Sequence, residues 1–173
     1  AGPNAGQPAL DRQLNQLVFT VNSPIFNATE GNGVRILKWS VDPNQSGGDA
    51  GNDFAIFRYS HILLAKAEAL NELGNLGDAI ALINQVRERC LDPDKPITRV
   101  DFNTKEKLRD RILDERGFEL LWENFRRQDQ IRTGHFLDAR THKPDVSPAY
   151  RKLYPIPQIQ LDANPNLRQN PGY

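Results

Sequence analysis

The densest run of chemically capable side chains lies between residues 115 and 132. Glu115, Glu119 and Glu123 recur at every fourth residue, with Arg116, Arg126, Arg127, Asp129 and Arg132 close by. Two acids on one helix face can meet the roughly 5–10 Å separation that glycoside hydrolysis requires. That chemistry also needs one carboxyl kept protonated by apolar surroundings. Here cations at i+3 and i+4 would keep the acids ionised and occupied instead. The run is therefore read as a structural charge network, and no catalytic residue is assigned.

The remaining candidates carry less. His61, His135 and His142 are scattered without metal-ligand spacing, and the single cysteine, Cys90, permits neither an internal disulfide nor a thiolate metal site. His61 has apolar neighbours and reads as a packed residue. Ser60 beside it has no nucleophile elbow and no base at a telling spacing. The glycines at 31–33 and 47–51 do not lead into a helix as a phosphate-binding loop does. No metal and no cofactor are assigned. Trp39, Trp122, Tyr150 and Tyr154 are the natural platforms for a sugar ring, although packing is the commoner use of such rings. Trp122 continues a helical apolar face and is expected in the core.

The elements that must position these residues are mainly helical. Residues 1–53 form an irregular arm rich in Gly, Asn, Pro and Asp, with short β-prone stretches at Leu17–Val21 and Val34–Trp39. From Phe54 to Leu73 apolar residues recur at three- and four-residue steps (Tyr59, Ile62, Leu63, Ala67, Leu70, Leu73), and Gly74 stops the helix. Asp78 opens a second helix to about Cys90, whose apolar face is Ala79, Ile80, Ile83, Val86 and Cys90. So short a link forces the two helices antiparallel, and Ala67 and Ala79 would let their axes approach. Leu63, Ala67, Leu70, Gly74, Ala79, Ile83 and Val86 also carry tetratricopeptide spacing, without that pattern's first Trp and closing Pro. On the residues alone the pair stands equally as a repeat unit or as an ordinary hairpin.

Asn103 with Glu106 reads as a capping box for a third helix that carries Leu108, Ile112, Phe118, Leu121, Trp122 and Phe125 inward, with Gly117 as its weak point. A fourth helix spans about Phe125 to Thr133 and ends at Gly134. The organisation expected is thus 1–53 irregular, 54–137 helical core and 138–173 a proline-rich tail packed on that core, all within one domain.

The bulk numbers fit this reading. A chain of 173 residues suits one domain, or one domain with an arm. Its 22 basic and 22 acidic residues cancel, which removes the strongest prior for nucleic acid. No apolar run approaches the roughly 20 residues that span a bilayer. The start, Ala1-Gly2-Pro3-Asn4, offers neither an initiator methionine nor an apolar leader nor a lipid-accepting cysteine, and reads as a piece of a longer chain.

In order, these segments resemble the C-terminal third of the SusD/RagB family. The carrying stretches are Arg35–Trp39, Asn52–Tyr59 running into Leu63–Leu70, Ala79–Arg87 with its Ile83-Asn84-Gln85-Val86-Arg87, and Ile112–Leu120. Phe125–Gly134, Tyr154-Pro155-Ile156-Pro157, and Asn164–Leu167 with Gln169–Tyr173 complete the series. Asn124 stands where the family commonly has Gly, and Gly117 where it often has Arg. The resemblance implies a SusD-like fold of tetratricopeptide-like α-α hairpins with irregular insertions, and a surface lipoprotein of the Bacteroidetes outer membrane. It further implies non-catalytic binding of oligosaccharides, or sometimes peptides, and delivery to a SusC-like TonB-dependent transporter. The lipid anchor would lie outside this chain, upstream, while Tyr173 falls where family chains stop. In this family the sugar-contacting aromatics lie mainly in earlier loops, so no ligand-binding residue is carried over. The alternative function is a tetratricopeptide-like protein–protein adaptor that binds no glycan.

Overall fold

The computed structural model describes residues 6–20, 26–33, 38–39, 42, 44–47, 50–91, 95–140 and 143–173. The chain divides into two compact units, Ala1–Ala55 and Ile56–Tyr173.

In the first unit, side chains that bond to nearby backbone compete with sheet ladders. The Asp11 carboxylate accepts the backbone N–H groups of Gln13 and Asn15, both at 2.8 Å. Asp42 likewise accepts from Asn44 at 2.9 Å and Gly51 at 2.7 Å. These bonds, from Asn15 and Gly51 foremost, hold the two carboxyls below the ordinary aspartate range. The stretch expected as a strand at 17–21 accordingly forms no strand over its described residues. Thr20 makes one isolated parallel bridge to Asn32, and Leu10 bridges Gln16. The second expected strand falls mainly on residues 34–37, outside the described residues. Trp39 packs against Phe54 with ring centroids 5.1 Å apart.

In the second unit, helix α1 runs Tyr59–Glu72. Phe54–Arg58, expected as its opening turn, is not helical, and Arg58 has φ −119° and ψ 158°. Alanine and leucine dominate α1, both strong helix formers. Its end is a Schellman motif. Gly74 adopts φ +89° at C′, its N–H bonds Asn71 O at 3.0 Å, and the Asn75 N–H bonds Leu70 O at 2.9 Å. Helix α2, Leu76–Cys90, therefore begins two residues before the Asp78 that composition marked as its start. The two helices bury Leu63, Leu64, Ala67, Ala79, Ile80, Ile83 and Val86 between them. Ala67 and Ala79 are fully buried, which is the close approach that small residues allow. Of the stripe expected on α1, Tyr59, Ile62 and Leu73 are exposed instead, and on α2 Cys90 is exposed.

Helix α3, Lys105–Glu119, is capped by Thr104 rather than Asn103; Thr104 Oγ1 accepts the Lys107 N–H at 3.3 Å. It packs on α1 and more lightly on α2, burying Leu108, Ile112 and Leu113. Phe118, Leu121 and Trp122 were expected inward, and all three are exposed, Trp122 to 66%. The buried stripe of α3 continues through Glu115 and Arg116 to Leu120 just past its end, with Glu119 half-buried, and not through Phe118, Leu121 and Trp122. Trp122 and Asn124 then both take φ +65°, which turns the chain before their side chains reach the core. Asn is among the few residues that tolerate this region at Asn124; a bulky ring at Trp122 carries strain.

Helix α4 is Arg126–Arg132, and Gly134 follows at φ +87°. The tail holds one turn of 3-10 helix, Ala149–Lys152, and one short helix α5, Gln158–Ala163. It is knit largely to itself. Asn170 donates to Tyr154 O, Tyr173 Oη donates to Leu153 O, and Gln169 brackets both polar backbone atoms of Ile156. Arg127 on α4 fastens it, lying over the Tyr154 ring at 4.1 Å and donating to Lys152 O at 2.9 Å. The architecture is mainly α, as the sequence pattern and the SusD-like resemblance required.

Candidate functional site

Each of the three spaced acids is met by cations, drawn largely from other elements. Glu115 accepts from Arg87 on α2 and from Arg111 one turn back. Glu119 pairs with Arg58 at 2.8 Å and Arg89 at 2.7 Å. Glu123 takes the Arg58 Nε at 3.0 Å and Nη2 at 2.7 Å. Burial alone would raise the Glu119 carboxyl, but the Arg58 hydrogen bond and the charges of Arg58 and Arg89 hold it below the ordinary glutamate value. This is the reverse of the setting that keeps a general acid protonated. The i+3 and i+4 arginines expected as partners go elsewhere. Arg116 bonds Asp129 at 2.8 Å, Arg126 bonds Leu113 O, and Arg132 bonds Glu68 and Asp129.

Arg58, Arg87, Arg89 and Glu68 are thus site residues that sequence spacing missed, while Arg111, four residues before Glu115, is one that spacing marks. The Arg58–Glu123 pair spans 65 residues of chain, and no local pattern marks such a partner. Gly117 has a packing role as well. A Cβ there would sit 2.7 Å from Arg126 Nη1, so the bare helix face is what admits that guanidinium.

The other candidates disperse. His135 Nδ1 lies 2.8 Å from Asp138 and Nε2 3.6 Å from Asp110, while His142 lies outside the described residues. No group of three His, Cys, Asp or Glu among the described residues could hold a metal ion. The Cys90 thiol donates to Glu119 at 3.4 Å, and burial with that negative charge keeps it protonated. Tyr150 meets Tyr173 edge-on at 4.9 Å and lies against Gly172, where φ is +97° and a Cβ would meet the Tyr150 ring. Tyr154 is covered by Arg127 on one face. Among the described residues, Trp122 is the one of the four aromatic platforms that is exposed with no ring or cation over it.

Among the cavities of the second unit, two have phenylalanine rings in their walls. One, of about 380 Å³, opens between the C-terminal half of α2 and α3, beside Val86, Cys90, Leu91 and Phe118. The other, of about 370 Å³, is a groove between α1 and α4. Its aromatic wall is Phe57, His61 and Phe125: His61 stacks on Phe125 at 4.5 Å and 20°, and Phe57 lies 5.6 Å from His61. Burial and the nearby Arg116 charge lower the His61 pKa, so the ring is neutral near pH 7. The polar wall is Glu68, Gln128, Asp129 and Arg132. No residue type in the sequence singles out this groove, because its walls come from segments about 60 residues apart.

Comparison with known proteins bears on the whole chain. The profile of the SusD family matches residues 18–173. SusD-like protein P25 of Formosa agariphila is 34% identical over 181 aligned residues, covering 95% of this chain and 32% of that protein. The starch-binding protein SusD of Bacteroides thetaiotaomicron is 30% identical over 155 residues, covering 82% of this chain and 26% of that protein. Among solved structures, a SusD-like protein from Bacteroides fragilis superposes with a TM-score of 0.53 at 28% identity, over 75% of this chain and 28% of that one. The chain spans between 24% and 32% of the length of the curated relatives it matches. With a family profile matched from residue 18 to the last residue, and a mainly helical fold shared with a SusD-like structure, the chain belongs to the SusD family.

Proposed function

We propose that this chain serves in the capture of oligosaccharides or polysaccharides at the cell surface, without turnover, and in their delivery to a SusC-like TonB-dependent transporter of the outer membrane. We assign the protein to the outer-membrane surface, held by a lipid anchor, in keeping with the family resemblance. The observation that carries the reading is the SusD family match over residues 18–173, joined to 30% identity with a relative named for starch binding. The geometry supports the non-catalytic half of the reading. Glu115, Glu119 and Glu123 are each paired with arginine, and a carboxylate so held is poorly placed to give a proton or to act as a nucleophile.

Two measurements test this. Native electrophoresis in gels containing amylopectin, laminarin or polygalacturonate is expected to retard the protein in at least one gel. The same polymers incubated with the protein are expected to release no reducing ends. Release that Glu115→Gln abolishes while the circular dichroism spectrum is unchanged overturns the non-catalytic reading. Failure to be retarded by any polymer, together with capture of a protein ligand, leaves the adaptor function standing in its place.

A further inference from the structure

We propose that the groove between α1 and α4 is a binding site for one uncharged sugar unit, with the Phe57, His61 and Phe125 rings as its stacking wall. This rests on the glycan-binding reading and adds a location to it.

The argument begins with shape and chemistry. The groove holds about 370 Å³, within the range of small-molecule sites. A pyranose is amphipathic: its ring face presents C–H bonds and its rim presents hydroxyls. The groove offers one wall for each. Phe57, His61 and Phe125 form a cluster with centroids 4.5 to 6.2 Å apart, in which His61 stacks on Phe125 and Phe57, tilted to both, is the most exposed ring. The lining also holds planar polar groups, the Glu68 carboxylate, the Arg132 guanidinium and the Gln128 amide, whose chemistry is to donate to and accept from hydroxyls.

Charge decides the class of ligand. The groove's ionised groups are Glu68, Asp129, Arg116 and Arg132, two acids and two bases, locked together by the Arg116–Asp129 and Arg132–Glu68–Asp129 bonds. Their charges cancel, and the locking leaves no uncompensated cation for a uronate or phosphate and no uncompensated acid for an amine. The same locking fixes the polar wall before a ligand arrives, so little side-chain entropy remains to be lost. The 380 Å³ cavity beside Cys90 has no such pair of walls, since Phe118 is its one aromatic ring.

The test uses the 173-residue chain in native gels containing amylopectin, laminarin or polygalacturonate. Phe57 is 65% exposed and Gln128 is also exposed, so Phe57→Ala and Gln128→Ala leave the fold standing, as thermal melts would verify. Trp122→Ala, an exposed ring outside the groove's lining, tests the rival platform. The expected result is retardation by a neutral polymer, weakened about tenfold in apparent Kd by Phe57→Ala and several-fold by Gln128→Ala, and unchanged by Trp122→Ala. Retardation that survives both groove substitutions, or is lost with Trp122→Ala alone, overturns the groove and leaves glycan binding intact. Retardation by polygalacturonate alone overturns the uncharged-ligand assignment. Absence of retardation by every polymer overturns the glycan-binding reading and the groove with it.

Discussion

Replacing Asp129 by alanine removes the carboxylate on which two arginines of the helical core converge. Asp129 is 2% exposed and Arg116 4% exposed, so the pair has been taken almost wholly out of water. Asp129 Oδ2 accepts from Arg116 Nε at 2.8 Å, and Oδ1 accepts from Arg132 Nε at 3.0 Å and Nη2 at 2.8 Å. The two arginines will respond unequally. Arg132 is partly exposed and keeps Glu68, so its loss is worth less than about 1 kcal/mol. Arg116 is left as a buried guanidinium without that partner, which costs about 3–5 kcal/mol. For a chain of this size each kcal/mol moves Tm by about 2–4 °C, so Asp129→Ala lowers Tm by roughly 6–20 °C.

The reasoning makes a second, opposite statement. The cost comes from the stranded charge rather than from loss of an intrinsically strong bond, so replacing both partners by apolar residues of similar volume recovers most of the stability. Arg116→Met with Asp129→Leu should therefore melt within a few degrees of the parent, while each single substitution melts far below it. Urea titration and thermal melts followed by circular dichroism supply the double-mutant cycle. A loss under about 1 kcal/mol for Asp129→Ala, or a double variant as unstable as the singles, would refute the argument that desolvation governs this pair.

Three further outcomes follow from other sites. Gly117→Ala should be nearly neutral, because about 1 kcal/mol of helix propensity is offset when Arg126 is pushed off Leu113 O; in an Arg126→Ala background the same change should stabilise by about 1 kcal/mol in urea titration. Gly74→Ala, at φ +89° in the Schellman turn, should cost about 1 kcal/mol, read as a lower urea midpoint with unchanged slope. Glu119 has a folded pKa depressed below its ordinary value of 4.5, so its contribution is fully present above that pH and is lost as pH falls through the lower folded value. Stability should accordingly decline with acidification below about pH 4.5, and Glu119→Gln should flatten that decline in urea midpoints measured from pH 6 to pH 3.

The sequence by itself determined the parts of this protein whose causes are local. The breaks at Gly74 and Gly134 are legible because positive φ is nearly reserved for glycine, and both glycines sit at such angles. The α1–α2 hairpin is legible because Leu63, Ala67, Ala79, Ile83 and Val86 keep helical period and all are buried. Asn124 stands where the family commonly has Gly, the residue most at ease with positive φ, and it has φ +65°. The ordered series of family-like segments determined the family.

Tertiary structure decided what depends on partners distant in the chain. Periodicity put Phe118 and Trp122 inside, yet the inward stripe of α3 runs through Glu115 and Arg116, because Arg87 from α2 and Asp129 from α4 supply opposite charges that make them buriable where they stand. No rule of i+3 and i+4 spacing foretells that Arg58 rather than Arg126 or Arg127 will hold Glu123. The groove of Phe57, His61 and Phe125 has the same origin: two helices whose residues are remote in sequence must first meet along the α1–α3–α4 packing before its walls face each other. Apolar period is a property of one helix, whereas the identity of a charge's neighbour is a property of the assembled bundle.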